Sequence, residues 1–87
     1  MKTIIFDETS AFWTKYTDYH LMFLQDQANY IEALFKHRGY MYLNQIHEHF
    51  GIGWNPRLVN VCYLSGSGPI KFEFEPVEDG KILIHIR

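Results

Sequence analysis

The middle of the chain reads DQANYIEALFKHRGYMYLNQIHEHFG from Asp26 to Gly51. Apolar side chains recur at helical spacing as far as Phe35, and no glycine or proline interrupts them. The basic run Lys36–Arg38 suits the negative end of a helix dipole. Gly39 then fits the left-handed position at which many helices end. This part of the stretch predicts a long helix that stops at a glycine.

A short bridge and a second helix follow the glycine stop. Tyr40–Tyr42 is aromatic and short, which favours an extended conformation. Apolar residues at spacings of three and four then predict a helix over 43–50. Asn44 is its candidate N-cap, and Gly51 is its stop. The inner side of this helix is expected to carry Leu43, Ile46 and Phe50.

The segment before this stretch also lacks glycine and proline, from Ala11 onward. Its aromatic residues fall on one helical face, at Phe12, Tyr16, Tyr19 and Phe23. One helix over 10–38 would be about 43 Å long, whereas a compact chain of this size has a radius of gyration of about 12 Å. The helix therefore either breaks or overhangs the body, and an overhang would expose apolar rings and imply a dimer or another partner. We favour a break or kink near Thr17-Asp18, because Thr and Asp side chains compete for backbone hydrogen bonds.

The C-terminal third predicts strands. Apolar and polar side chains alternate over 59–64, 70–75 and 82–86, and Asp79-Gly80 is a strong hairpin signal. Thr3–Phe6 predicts a further short strand. The apolar face of the sheet is expected to hold Ile70, Phe72, Phe74, Ile82 and Ile84. The chain, 1–87, is predicted to be a single α+β domain, with N-terminal helices packed on a small antiparallel sheet of three to four strands.

The charge balance argues against nucleic acid as the main partner. Eight Lys and Arg stand against ten Asp and Glu, a formal net charge of -2, and neutralising phosphates requires a basic excess. The order of helix, short strand, helix and hairpin resembles part of a winged helix. The candidate recognition helix over 43–50, however, holds no Lys or Arg. A winged-helix-like nucleic-acid binder is therefore only an alternative.

The sequence also bears on location. No apolar run is long enough for a membrane span or for the core of a signal peptide, since Thr3–Phe6 is followed at once by Asp7. Cys62 is the one cysteine, so no intrachain disulfide can form, which fits a reducing cytosol. We expect a cytoplasmic protein, with no membrane partner.

The sequence predicts no catalytic, cofactor or metal site. His47 and His49 are two residues apart, whereas zinc-binding helices space histidines by three or four, so both are expected to be solvated. Cys62 lies in a predicted strand, not at a helix N-terminus where thiolates are activated. The glycine pairs of 51–53 and 66–68 lack the lysine of a phosphate-binding loop and predict turns. We therefore expect that the protein is not an enzyme.

The densest acidic cluster surrounds the predicted hairpin and consists of Glu73, Glu75, Glu78 and Asp79. Charges on an exposed strand often serve only solubility and protection of the sheet edge. The functional interpretation is an acidic surface that meets a basic groove on a partner protein. Trp54 and exposed Tyr rings would add contacts. These residues are the predicted partner-binding site.

The stretches Phe23–Glu32, Arg38–Glu48 and Phe50-Gly51 resemble a group of short phage and prophage proteins of uncharacterised function. The shared pattern is a helix, Arg-Gly, an apolar stretch with Leu-Asn, a short helix and Gly, followed by a β region. It covers residues 20–86 of this chain. Its strands would correspond to Val61–Tyr63, Ile70–Phe72 and Ile82–Ile84. The group has no established active site, so no residue inherits a role from it.

The resemblance implies a protein that works by binding. Phage proteins of this size act as inhibitors of host defence, with the anti-CRISPR proteins as the best-known class, or as virion and assembly accessories. The leading prediction is a non-enzymatic, phage-derived module that binds a host or phage protein and inhibits a host defence effector such as a CRISPR nuclease. The alternative is a virion accessory that works as a homo-oligomer. A homodimer is compatible with both.

Overall fold

The last strand of the chain pairs with a neighbour on each side in the computed structural model, which describes residues 2–87. In chain order the elements are β1 (Lys2–Phe6), α1 (His20–Arg38), β2 (Tyr40–Tyr42), α2 (Leu43–His49), β3 (Cys62–Leu64), β4 (Phe72–Pro76) and β5 (Ile82–Ile86). One antiparallel sheet has the order β1-β5-β4, and β2 pairs with β3 in a separate sheet. The mixture of helix and sheet agrees with the predicted class. The helices, however, follow β1 in the chain, and the strands divide into two sheets.

The inner face of the main sheet comes from alternation along β5, where every second residue is buried. These residues are Ile82, Ile84 and Ile86. At the middle of the sheet, Ile84 lies opposite Ile4 of β1 and Phe74 of β4. Ile70, just before β4, is buried as well, whereas Phe72 and Phe74 are half-buried. The predicted alternation of the last two strands is therefore confirmed.

α1 supplies the largest buried stripe from a helix, at spacings of three and four: Leu24, Ala28, Ile31 and Phe35. The helix lies beside β4, where Ala28 and Phe74 line a common groove. It ends at Gly39 as predicted, with a left-handed φ of 85° and an N–H that donates to the carbonyl of Phe35 at 2.8 Å. Within residues 2–87, no helix has both the length and the apolar character needed to cross a membrane.

The segment between β1 and α1 differs from the prediction. A single turn of 3-10 helix at Thr17–Tyr19 precedes α1, so a change of structure does occur near Thr17-Asp18. Residues 7–16, however, form turns and extended chain instead of a first helix. The helical spacing of the aromatic residues here was misleading, because three of them are exposed: Phe12, Tyr16 and Tyr19.

Local hydrogen bonds explain why this segment is not helical. The carboxylate of Asp7 accepts from the N–H of Thr9 at 2.9 Å and from its hydroxyl at 2.6 Å. These bonds hold the pKa of Asp7 below its usual value. The hydroxyl of Ser10 donates to the carbonyl of Phe50 at 2.9 Å, which fastens the segment to the end of α2. Side chains of this kind offer the backbone an alternative to helix.

The two-stranded sheet corrects a second prediction. The strand expected over 59–64 is only three residues long, and it pairs with β2 instead of joining the main sheet. Tyr40 lies opposite Leu64, and Tyr42 lies opposite Cys62. The third strand of the main sheet is β1. β5 has two edges. The hairpin places β4 at one edge and β1 occupies the other, so β3 has no edge of β5 with which to pair.

α2 confirms the predicted second helix, and its expected inner residues are buried: Leu43, Ile46 and Phe50. Asn44, however, is not its N-cap. Tyr42 holds that position, and its N–H donates to Oε1 of Gln45 at 3.0 Å. Asn44 is buried, and its side chain bonds the backbone of Asn55 instead. The capping assignment failed because a nearby loop offered Asn44 other partners.

The hairpin between β4 and β5 turns through Glu78–Gly80, as Asp79-Gly80 predicts. Asp79 has a φ of 58° and Gly80 a φ of 76°, both left-handed. A Cβ on Gly80 would lie 2.3 Å from Cγ2 of Thr17. The carbonyl of Gly80 also lies 3.2 Å from Nδ1 of the buried His20. The turn therefore packs closely against the start of α1.

Gly80→Ala is expected to destabilise the fold by about 1 kcal/mol or more, because the left-handed φ and the approach of Thr17 both oppose a methyl group. Urea unfolding followed by circular dichroism measures the change. Gly66→Ala is the matched control, since a Cβ there meets nothing within 4 Å, and it should cost less than about 0.5 kcal/mol. Equal stability of the two variants would contradict the packing of this turn.

Phe50→Ala is expected to cost about 3–5 kcal/mol, because its ring is fully buried. Phe72→Ala should cost less, since that ring is half-buried and meets the face or edge of Phe50 with centroids 5.6 Å apart. The free energies of unfolding from urea titrations check the order. A larger loss for Phe72→Ala than for Phe50→Ala would show that the inner face of the sheet is wrongly placed.

Candidate protein-binding surfaces

Chemically reactive side chains are scattered in this fold. Within residues 2–87, no group of three or more His, Cys, Asp or Glu side chains is placed to hold a metal ion. Cys62 is a free, half-buried thiol whose Sγ lies 3.6 Å from the carbonyl of Tyr63. A groove of about 500 Å³ beside Phe35 and Ile70 is lined by no His or Cys. The features that stand out are two surfaces.

His47 is buried, which corrects the expectation that it is solvated. The buried side of α2 and its C-cap consists of Leu43, Ile46, His47 and Phe50. Spacings of three, four and seven define one helical face, so the periodicity itself could have placed His47 inside. Its Nδ1 lies 3.4 Å from the carbonyl of Gly53. The ring of His49 lies against Tyr30 instead, so the two histidines do not converge.

Two of the four acidic residues at the hairpin are paired within the chain. Glu75 lies 3.0 Å from Nε2 of His85, and Glu73 lies 3.0 Å from the guanidinium of Arg87. The other two, Glu78 and Asp79, are exposed at the turn and form no ion pair within residues 2–87. The unpaired negative charge of the cluster is therefore concentrated at the turn.

A hydroxyl, an imidazole and a carboxylate line up across the outer face of the main sheet. Oγ1 of Thr3 lies 2.9 Å from Nδ1 of His85, whose Nε2 lies 3.0 Å from Oε1 of Glu75. The order matches that of a nucleophile, a base and an acid. The surrounding strands, however, are paired in the ladder of the sheet, which leaves their N–H groups poorly placed to stabilise an oxyanion. We interpret the row as a ladder of side chains that joins the three strands.

The second surface is aromatic and lies on the two-stranded sheet. Alternation along β2 buries Met41 and exposes Tyr40 and Tyr42, whose ring centroids lie 6.0 Å apart, edge to face. The guanidinium of Arg38 lies over the Tyr40 ring, 4.6 Å from its centroid. On β3, opposite Tyr40, Leu64 is exposed as well. This face carries large apolar side chains where the solvent side of a ribbon usually carries polar ones.

The aromatic face continues into a groove of about 390 Å³ beside α2. Its apolar walls are Tyr42, Trp54 and Val59, and its polar lining consists of Asn44, Gln45, Glu48 and Asn60. Tyr42 joins the two parts, because its ring meets Tyr40 and also lines the groove. We define the aromatic surface as Tyr40, Tyr42, Trp54, Val59 and Leu64.

The loop that carries Trp54 is fastened to α2. The side chain of Asn44 donates to the carbonyl of Asn55 and accepts from its N–H, both at 3.0 Å. The Asn55 side chain in turn accepts from the N–H of Arg57 and begins the turn at Pro56–Leu58. Trp54 thus lies with Tyr42, and none of the acidic hairpin residues lines its groove. The predicted site residues fall in two separate places.

Comparisons of the chain with protein-family models, with curated proteins and with solved structures give no match. The resemblance to phage and prophage proteins therefore stays a prediction. Function has to be argued from the two surfaces themselves.

The acidic hairpin is predicted to set how fast a basic partner associates. Changing Glu73, Glu75 and Glu78 to Gln and Asp79 to Asn should lower the association rate and weaken its dependence on salt. The fold should persist, because each exposed ion pair that is lost contributes about 1 kcal/mol or less, and Asn tolerates the left-handed φ at position 79. Stopped-flow or surface-plasmon measurements with a captured partner check the rate.

A control variant removes two charges away from the turn, by changing Glu32 to Gln and Asp26 to Asn, and is compared with a hairpin variant that changes only Glu78 to Gln and Asp79 to Asn. It has the same net charge as the hairpin variant, so it separates a local effect from a general one. If both variants associate at the same rate, the hairpin is not part of the interface.

Proposed function

We propose that this chain acts by binding another protein through the aromatic surface. The observation that carries the proposal is the exposure of five large apolar side chains on adjoining elements: 40% for Tyr40, 42% for Tyr42, 56% for Trp54, 49% for Val59 and 58% for Leu64. Tyr and Trp are the residues that interfaces concentrate at their energetic centre. Exposed apolar residues are common on any protein, and larger apolar patches rimmed by polar residues often mark interaction sites.

The surface is also held in place before any partner arrives. Tyr40 lies between the guanidinium of Arg38 and the ring of Tyr42. The bonds between Asn44 and Asn55 fix the loop next to Trp54. A binding surface that is already ordered loses less conformational entropy on association, which favours affinity.

The narrower proposal is a phage-derived, non-enzymatic inhibitor of a host defence effector, such as a CRISPR nuclease, acting in the host cytoplasm. It is supported by the resemblance to phage and prophage proteins and by the charge of the hairpin. An effector that handles nucleic acid presents Lys and Arg in its groove, and the unpaired Glu78 and Asp79 would suit it. α2 holds no Lys or Arg, so charge gives no support to a winged-helix-like nucleic-acid binder.

A virion accessory that works as a homo-oligomer remains the second candidate. The aromatic surface supports this candidate, because a second copy of the chain could cover the same side chains in a two-fold dimer. Self-association and capture of a different protein are distinguished by two double variants, one at Tyr40 and Tyr42 and one at Tyr16 and Tyr19.

Changing both Tyr40 and Tyr42 to Ser is expected to reduce capture of the partner from host lysate by tenfold or more, because truncation of a central aromatic residue costs about 2 kcal/mol. The measurement is an isotope-coded pull-down, read by mass spectrometry. The matched control changes Tyr16 and Tyr19 to Ser, since these two rings are also exposed and also meet edge to face.

Proteins that depend on Tyr40 and Tyr42 and not on the control pair are the expected result. Equal capture by the two variants would remove the aromatic surface from the interface. Light scattering of the purified chain tests the second candidate. A dimer that dissociates only in the Tyr40 and Tyr42 variant would favour the homo-oligomer over a different partner protein.

A further inference from the structure

The groove beside α2 has walls of a particular chemistry. The ring of Tyr42 and the indole of Trp54 line it together with Val59. Grooves between aromatic side chains bind segments in the polyproline II conformation, because proline rings pack between the aromatic rings. Such a segment is already extended and has little conformational entropy to lose. The walls therefore suit proline better than a long, flexible side chain.

The lining of the groove includes side chains that can donate hydrogen bonds. The hydrogen bonds made there within residues 2–87 involve the side chains of Asn44 and Gln45. Tyr42, Trp54 and Asn60 also line the groove, and the hydroxyl, indole N–H and amide that they carry are potential donors to a ligand. A proline-rich segment lacks many backbone N–H groups and presents carbonyl acceptors. The donors of the groove thus match what the segment offers.

Glu48 gives the groove a charge preference. Its carboxylate is exposed, lines the groove, and forms no ion pair within residues 2–87. It also lies in the last turn of α2, where the helix dipole is negative and a cation is favoured. An Arg or Lys of a partner would therefore interact favourably both with the Glu48 carboxylate and with the negative end of the helix dipole.

We infer that this groove binds a proline-rich segment of the partner protein, in the polyproline II conformation, with an Arg or Lys of that segment against Glu48. The inference rests on the proposed function and names the chemistry of the partner at the aromatic surface. The acidic hairpin then contributes to the association rate and not to recognition of this segment.

The test uses short synthetic peptides with the spacing Pro-x-x-Pro and one arginine at either end. In the Trp13→Phe variant, Trp54 is the only tryptophan, and its fluorescence reports on the groove. The exchange preserves an aromatic ring against Phe6 and His20. At least one peptide should shift the emission of Trp54 in a saturable way, and the same peptide with glycine in place of proline should not.

Variants test the two halves of the inference separately. Tyr42→Ala should weaken binding of a labelled peptide, measured by fluorescence anisotropy, by about tenfold or more. Glu48→Lys should reverse the charge preference, so that a peptide with glutamate in place of arginine binds better than the original. Tyr16→Ala is the control for folding and exposure and should leave the affinity unchanged.

The inference is overturned if no peptide binds up to millimolar concentration, if Tyr42→Ala binds as well as the parent, or if the arginine and glutamate peptides bind the parent equally. Should the peptides fail while capture from lysate still depends on Tyr40 and Tyr42, only the identity of the segment is wrong. Should both fail, the proposed function is wrong as well.

Discussion

β5 is paired on both sides, and its three inward isoleucines belong to the one hydrophobic cluster that also takes in α1 and α2. The positions of β1 and β4 in the main sheet follow from the burial of β5. The hairpin brings β4 to one edge of β5, and β1 takes the other, so the first and last parts of the chain are joined in one ladder. With β5 at the centre, the register of one strand sets which side chains of all three face the helices. The outer face is then left to polar pairs such as Thr3 with His85.

The same alternation determines the aromatic surface. On the short ribbon, Met41 and Tyr63 are opposite each other, and Met41 is fully buried. Burial raises the pKa of the Tyr63 hydroxyl. Tyr40 and Tyr42 must then face away from the core. The fold requires only that these two positions be outside, and a charged residue would satisfy it. The chain instead has aromatic rings at both positions, and Tyr42 lines a groove together with Trp54.

The acidic side chains of the hairpin lie apart from the aromatic surface that we propose as the binding site. Arg87 forms an ion pair with Glu73, and the imidazole of His85 lies beside Glu75, so both glutamates of β4 have partners within the chain. Exposed pairs of this kind contribute little to stability and are weakened by salt. Glu78 and Asp79 at the turn form no ion pair within residues 2–87, and the neighbouring Lys81 lies 3.8 Å from a carboxylate oxygen of Glu8 instead. A partner that used both the turn and the aromatic surface would have to contact two separate parts of the molecule, since the groove beside α2 includes no residue of the turn and the pocket at the turn includes no residue of the aromatic surface.

Local patterns in the sequence determined the body of α1 and its stop at Gly39, the short helix α2 and the hairpin at Asp79-Gly80, although the predicted helix began near residue 10 and α1 begins at His20. These features depend on spacing and on turn chemistry within a few residues, which a sequence displays directly. The sequence also identified the acidic residues and Trp54, but not their surroundings. Only the tertiary structure decided that β1 completes the main sheet, that β3 pairs with β2, that His47 is buried, and that Glu73 and Glu75 have partners. Each of these depends on which distant segments meet, and strand pairing across the chain leaves no local trace in spacing. The segment before α1 shows the same limit. Its aromatic residues have helical spacing, but hydrogen bonds of the Asp7 and Ser10 side chains favour turns instead. The Ser10 bond is made to Phe50, which is distant in sequence.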